Sequence, residues 1–257
     1  MAEPQLVETG KMMMIDTSKC IACKACQIAC QQWHSLPAEH TEFTGSYTNP
    51  PDMSAANLNI VKFHETYCDV TSDELKFLFF VDRCRHCDTP FCKEACPLGA
   101  IKRKPNGIVF IKENCDPSAC SPDPVKPCQL ACPFKTTVSS PTPLGMPRYQ
   151  LNDGSTLADG RANKCDFCYD RFNHATLKGE PYKGTFKKSN RPACELVCPV
   201  GAIVTGEATD IGTMAKGRVK KLKNKLGYPN ACIYPALPAH VIWVLTEAPH
   251  CYGIWES

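Results

Sequence analysis

Apolar positions in this 257-residue chain come in short runs, separated by polar stretches rich in proline and glycine. Met12-Met13-Met14-Ile15 reads as a strand, and Asn57 to Phe63 and Lys76 to Val81 read as two more. Ala25 to Trp33 reads as a helix. From Ser35 to Asn57 neither period holds, and Pro37, Pro50 and Pro51 interrupt the stretch; loops of that length are usually functional or disordered. Pro105-Asn106-Gly107 is a turn signal between Ala100–Lys102 and Ile108–Ile111, which predicts a hairpin. Further on, Ile211, Met214, Ala215, Val219, Leu222 and Leu226 share one helical stripe, with Asp210 as N-cap and Gly227 as stop. Lys216, Arg218, Lys220, Lys221, Lys223 and Lys225 crowd the opposite face, as a solvated surface or as a docking face for an acidic redox partner.

An internal repeat cuts across this pattern. Cys96-Pro97-Leu98-Gly99-Ala100-Ile101 and Cys198-Pro199-Val200-Gly201-Ala202-Ile203 differ at one position only. In each copy a helical turn carrying the cysteine is stopped by proline and followed by a strand. Both copies close a larger cysteine motif. Sixteen of the 19 cysteines form four groups. They are Cys20-x2-Cys23-x2-Cys26-x3-Cys30, Cys84-x2-Cys87-x4-Cys92-x3-Cys96, Cys115-x4-Cys120-x7-Cys128-x3-Cys132 and Cys165-x2-Cys168-x25-Cys194-x3-Cys198. The last three are followed by Pro97, Pro133 and Pro199.

Such spacing holds thiolates around cubane [4Fe–4S] clusters, and sixteen ligands suffice for four. A short loop with cysteines two residues apart wraps three corners of one cubane. The fourth cysteine starts a helical turn that points elsewhere, so motifs work in pairs that exchange their last cysteines. A disulfide framework suits small secreted domains better than a chain of this length. Zinc competes for the fourth group, where a C-x2-C and a distant C-x3-C could close a tetrahedral site. The fold class that follows is α+β: two tandem ferredoxin-like modules of short strands and helices around Fe–S clusters, with long loops and a C-terminal helix.

Cysteine supplies a good part of the 43% hydrophobic content, so the aliphatic core per residue is thin. Inserted clusters are then expected to supply folding free energy, and a chain without iron to be loose or insoluble. A net charge of +3 implies no general field for nucleic acid or a membrane surface. The apolar run Val241-Ile242-Trp243-Val244-Leu245 falls far short of a membrane span, and residues 1–15 lack a signal-peptide pattern. Cluster insertion needs reducing conditions and so is expected in the cytoplasm. Final residence stays open, because a folded subunit can cross a membrane attached to a signal-bearing partner.

With these motifs the chain resembles the four-cluster iron–sulfur subunits of molybdopterin oxidoreductases, and most closely the beta subunits of formate dehydrogenase. The general likeness rests on Cys84-Arg85-His86-Cys87, Lys164-Cys165-Asp166-Phe167-Cys168-Tyr169-Asp170-Arg171 and Gly145-Met146-Pro147-Arg148-Tyr149. The formate dehydrogenase likeness rests on Cys20 to Trp33, Leu36-Pro37-Ala38-Glu39 and Gly45 to Asp52. The resemblance implies that residues 1–66 with 160–207 form one module, 67–159 the other, and 208–257 a C-terminal helix and tail. It implies four ligand sets: Cys20, Cys23, Cys26 with Cys198; Cys165, Cys168, Cys194 with Cys30; Cys84, Cys87, Cys92 with Cys132; and Cys115, Cys120, Cys128 with Cys96. The exchange of last cysteines agrees with these sets. The insertions Asp116–Ala119 and Ser121–Pro127 set the third motif apart from the family spacing. The first-and-fourth module is expected nearest a large molybdopterin catalytic subunit carrying tungsten or molybdenum.

On this reading the chain does no bond chemistry and has no catalytic residues; it relays single electrons to an external partner. Membrane-bound members carry a C-terminal anchoring helix, and none precedes Ser257. The expectation is therefore a soluble assembly, periplasmic by co-export or else cytoplasmic, that serves a soluble carrier such as a c-type cytochrome or ferredoxin. Rival readings are the same role beside a polysulfide, thiosulfate or sulfoxide reductase, a free-standing polyferredoxin, and a zinc-stabilised scaffold. Arg83, Arg85, His86 and Lys24 neighbour ligand cysteines and would raise cluster potentials if they point inward. Cys68, Cys232 and Cys251 lie outside the motifs as incidental thiols, although Cys232 and Cys251 could bridge in an oxidising compartment. The Ser35–Asn57 loop is the expected partner contact.

Overall fold

The computed structural model describes residues 4–68, 73–134, 145–172 and 191–254, so Ser257 lies outside it. Its strands are β1 (Lys11–Asp16), β2 (Asn59–Thr66), β3 (Lys76–Arg83), β4 (Ile101–Arg103), β5 (Val109–Ile111), β6 (Ile203–Glu207), β7 (Cys232–Tyr234) and β8 (Val241–Leu245). The helices are α1 (Ala25–Trp33), α2 (Phe91–Glu94), α3 (Pro117–Cys120), α4 (Pro127–Leu130), α5 (Tyr169–Phe172), α6 (Ala193–Leu196) and α7 (Ala208–Lys225), with a 3-10 turn at Pro249–Tyr252. The class is α+β, as the sequence predicts.

A four-stranded sheet in the order β6-β1-β8-β7 forms the backbone of the fold. β1 pairs antiparallel with β6, from Lys11↔Glu207 to Ile15↔Ile203, and parallel with β8, from Met13↔Val241 to Asp16↔Val244. Alternation of side chains across a strand explains the uninterrupted run in β1. Met12 and Met14 pack with Ile242 and Val244 against Ile211, Ala215 and Leu222 of α7. Met13 and Ile15 face the opposite side, with Trp243, Phe80 and several cysteines. A strand buried on both faces has no polar positions to show. The same logic makes Val241–Leu245 a central strand, a role that its sequence pattern alone does not reveal. The segment after α7 is thus woven into the sheet that contains β1.

The β4–β5 hairpin follows the sequence reading, whereas the pairing of the two longer strands with each other is a finding of the structure. β2 and β3 pair from Asn59↔Arg83 to Thr66↔Lys76. β4 and β5 pair around the Pro105-Asn106-Gly107 turn, with Gly107 at φ 88°. In α7 three details differ from expectation. The helix starts at Ala208 with Glu207 as its N-cap, because the Ala208 N–H donates to the Gly10 carbonyl at 2.9 Å, which leaves Asp210 in the first turn. Met214 and Leu226 lie on the exposed side of the stripe. Arg218 leaves the lysine face and donates through Nε to Asp16 at 2.7 Å. The expected stop holds, since Gly227 adopts φ 76°. Cys251 is disulfide-bonded to Cys68 rather than to Cys232, which joins the end of β2 to the 3-10 turn.

Candidate metal centres

The cysteine loops are shaped by a repeated backbone device. In three C-x2-C motifs the residue before the second cysteine has left-handed φ: Ala22 at 54°, His86 at 50° and Phe167 at 64°. None is glycine, so each loop carries local strain of about 1–2 kcal/mol. The turn curls the backbone N–H of that residue back towards the first sulfur: His86 N lies 3.5 Å from Cys84 Sγ, and Phe167 N lies 3.3 Å from Cys165 Sγ. The repeated Cys-Pro-x-Gly-Ala-Ile segment supplies a second device. Gly99 and Gly201 take φ 54° and 59°, and Ala100 N and Ala202 N donate to Cys96 Sγ and Cys198 Sγ at 3.3 and 3.2 Å. Each of these cysteines sits two residues past a four-residue helix, α2 or α6, rather than within it.

These loops bring the predicted cysteines together in four groups. Cys20, Cys23, Cys26 and Cys198 line one pocket with Ala22, Val61 and Ile203. Cys96, Cys115, Cys120 and Cys128 line another. Cys87 feels the charges of Cys84, Cys132 and Cys92; Cys168 feels those of Cys194 and Cys30, and Cys165 that of Cys30. The groups also adjoin in sequence: Cys26 senses Cys194, Cys165 senses Cys84, and Cys128 senses Cys92.

Burial, with repulsion between neighbouring sulfurs, pushes the Cys92 and Cys128 thiols up to about 12 and Cys165 up to about 11. Soft donors held close and in fours require a cationic centre to become thiolates together. The donor set therefore fits an iron–sulfur cluster at each group.

The basic residues flagged from sequence divide sharply. Arg83 is 1% exposed and donates through its two terminal nitrogens to Cys165 Sγ at 2.7 Å and Cys194 Sγ at 3.0 Å. His86 Nδ1 accepts the Val109 N–H at 3.0 Å, so its proton sits on Nε2, which faces Cys165 Sγ at 3.4 Å. Arg85 reaches no cysteine sulfur: it pairs with Asp82 and lies 4.9 to 5.6 Å from the rings of Trp243, Phe134, Phe80 and Tyr234. Lys24 turns outward to the Tyr47 carbonyl at 2.6 Å.

Sequence reasoning missed His34. Its Nε2 meets Asp166 at 2.9 Å and its Nδ1 meets the Cys30 carbonyl at 2.9 Å; against the effect of burial, the hydrogen bonds and charges of the Asp166 carboxylate and the Cys30 side chain raise it to about 12. Lys164 was seen only as part of a motif, yet its Nζ is buried and bonds the Val109 and Cys165 carbonyls. No local signal marks either role, because one partner in each case, Asp166 for His34 and Val109 for Lys164, is distant in sequence.

Residues 75–179 match the model of the 4Fe-4S dicluster domain. The chain is 33% identical over 246 residues to formate dehydrogenase 2 subunit beta (cytochrome c-553) of Nitratidesulfovibrio vulgaris, spanning 94% of this chain and 96% of that one. It belongs to the family of formate dehydrogenase iron–sulfur (beta) subunits. Within that family it is also 35% identical over 240 residues to the nitrate-inducible formate dehydrogenase iron–sulfur subunit of Escherichia coli, spanning 91% of this chain and 68% of that one. Formate dehydrogenase subunit beta of Megalodesulfovibrio gigas is 32% identical over 250 residues, spanning 95% and 97%. Family and geometry together make this chain an electron-transfer subunit of an oxidoreductase complex that uses [4Fe–4S] clusters.

Proposed function

We propose that the chain relays electrons between the tungsten- or molybdenum-pterin catalytic subunit of a formate dehydrogenase and an external redox partner, with four [4Fe–4S] clusters. One observation carries the reading: sixteen thiols converge in four groups, each taking three from one motif and the last from another. Cys20, Cys23, Cys26 and Cys198 hold one cluster, and Cys30, Cys165, Cys168 and Cys194 its neighbour. Cys84, Cys87, Cys92 and Cys132 hold the third, and Cys96, Cys115, Cys120 and Cys128 the fourth. Residues 1–66 with 160–207 then form one module and 67–159 the other.

Each cluster, when bound, accepts and releases one electron without bond rearrangement. The chain's own residues hold the thiolates at fixed spacing, exclude water and donate N–H groups to sulfur. Two exposed aromatics, Phe43 and Tyr47 (76% and 66% exposed), support the Ser35–Asn57 loop as a contact for the catalytic subunit.

The name of the Nitratidesulfovibrio relative includes cytochrome c-553, which supports a soluble c-type cytochrome as the external partner here. A Cys68–Cys251 disulfide supports residence in an oxidising compartment such as the periplasm. Among the described residues no helix is long and apolar enough to cross a membrane. The test is anaerobic purification of the native complex with iron, sulfide and formate-dependent dye-reduction assays. We expect about sixteen irons per chain and a pterin-bearing large subunit. Zinc in these sites, or a chain that purifies alone, overturns the reading.

A further inference from the structure

Backbone N–H groups serve sulfur in all four cysteine groups: Ala202 to Cys198, His86 to Cys84, Ala100 to Cys96, and Phe167 to Cys165. Side-chain N–H groups do not spread so evenly. Among the described residues, every such contact to a motif sulfur falls within one group, that of Cys30, Cys165, Cys168 and Cys194. Arg83 reaches two of its sulfurs at 2.7 and 3.0 Å, His86 Nε2 faces one at 3.4 Å, and His34 Nδ1 lies 3.8 Å from Cys30 Sγ. The other buried cations spend their donors elsewhere. Arg85 pairs with Asp82, Lys62 with Asp82, Arg148 with Asp52, Arg171 with the Arg191 carbonyl, Lys126 with the Ser121 and Asp123 carbonyls, and Lys164 with the carbonyls of Val109 and Cys165.

The charge consequence is direct. A [4Fe–4S] core with four thiolates gains a negative charge on reduction, so donors and cations at sulfur favour the reduced form. Burial works against it, and these four cysteines are each at most 5% exposed. Yet burial also removes the water that would screen Arg83, so a guanidinium touching two sulfurs acts at low dielectric. Asp166, the carboxylate whose charge acts on Cys165 and Cys168, is itself ion-paired with His34 at 2.9 Å.

We infer that Arg83, assisted by His86, gives the cluster of Cys30, Cys165, Cys168 and Cys194 the highest reduction potential of the four. This rests on the ligand sets proposed above. Arg83 is a positioning residue that acts through hydrogen bonds to ligand sulfurs, and it makes this group the electron sink of the relay.

The test is a redox titration of the purified complex followed by electron paramagnetic resonance, comparing wild type with Arg83→Met and Arg83→Lys. In Arg83→Met the highest-potential signal should lose at least tenfold in its reduction equilibrium, 59 mV for one electron, while the other midpoints stay in place. Arg83→Lys keeps the charge but loses the two-pronged fork, and should give a smaller drop in the same signal. If Arg83→Met fails to load that cluster, the Lys variant alone decides. Unmoved midpoints in a loaded variant, or movement only of a lower-potential signal, overturn the inference. A wild-type complex with no [4Fe–4S] signals sinks the ligand reading instead.

Discussion

The two ends of the chain's cysteine array rest on very different scaffolds. The Cys20–Cys198 group hangs from a four-stranded sheet whose middle strands are buried on both faces, with the 18-residue helix α7 packed across one of them. The Cys96–Cys128 group hangs from the three-residue strands β4 and β5 and from α2, α3 and α4, four residues each. Helices that short have no stability of their own. The first end has a hydrocarbon core independent of iron, whereas the second is ordered chiefly by what its cysteines grip.

Removing iron puts that contrast to its hardest trial. Amide exchange in the chelated chain is expected to lose all protection over β4, β5 and α2 to α4, while β1 and β8 keep a substantial part of theirs. Equal loss at both ends would break the comparison and restore the simpler expectation that the whole apo-chain is loose.

A smaller effect, about 3–5 kcal/mol, is expected from Trp243→Ala in the loaded protein. Trp243 is fully buried in β8, stacks on Phe80 with ring centres 5.1 Å apart, and donates from Nε1 to the Val81 carbonyl at 3.1 Å. Denaturant unfolding would measure it, with the loss concentrated at the sheet end. A change under about 1 kcal/mol would show that the sheet is not the main support.

The finest probe uses the repeated segment. Gly99→Ala and Gly201→Ala meet no backbone obstacle, since Gly201 has nothing within 4 Å and Gly99 only Lys102 Nζ at 3.7 Å. Each should therefore cost only the left-handed strain, about 1–2 kcal/mol. Matching values from the two variants would show one local device serving two scaffolds; a clear difference would show that the scaffold sets the strain.

Much of the site was legible because metal-ligand spacing is local information. Cys20-x2-Cys23-x2-Cys26 needs only a short loop, and the loop forms as expected. What sequence does not display is the backbone strain that shapes it, because Ala22, His86 and Phe167 take conformations that glycine would have advertised. Nor does adjacency in sequence predict which cation touches sulfur. Arg83 and Arg85 flank the same cysteine, yet strand pairing sends one to Cys165 and Cys194 and the other to Asp82 and a ring of aromatics.

The residue order by itself settled the number of thiols and their four motifs, the helix at Ala25–Trp33, the β4–β5 hairpin and the duplicated Cys-Pro-x-Gly-Ala-Ile turn. Tertiary structure alone decided that Val241–Leu245 threads between β1 and β7, that Cys251 joins Cys68, and that Arg83 rather than Arg85 meets sulfur. The division has one physical cause. Short spacings fix torsions and turns within a few residues, whereas pairing across a hundred or more positions depends on which surfaces fit once the whole chain has closed.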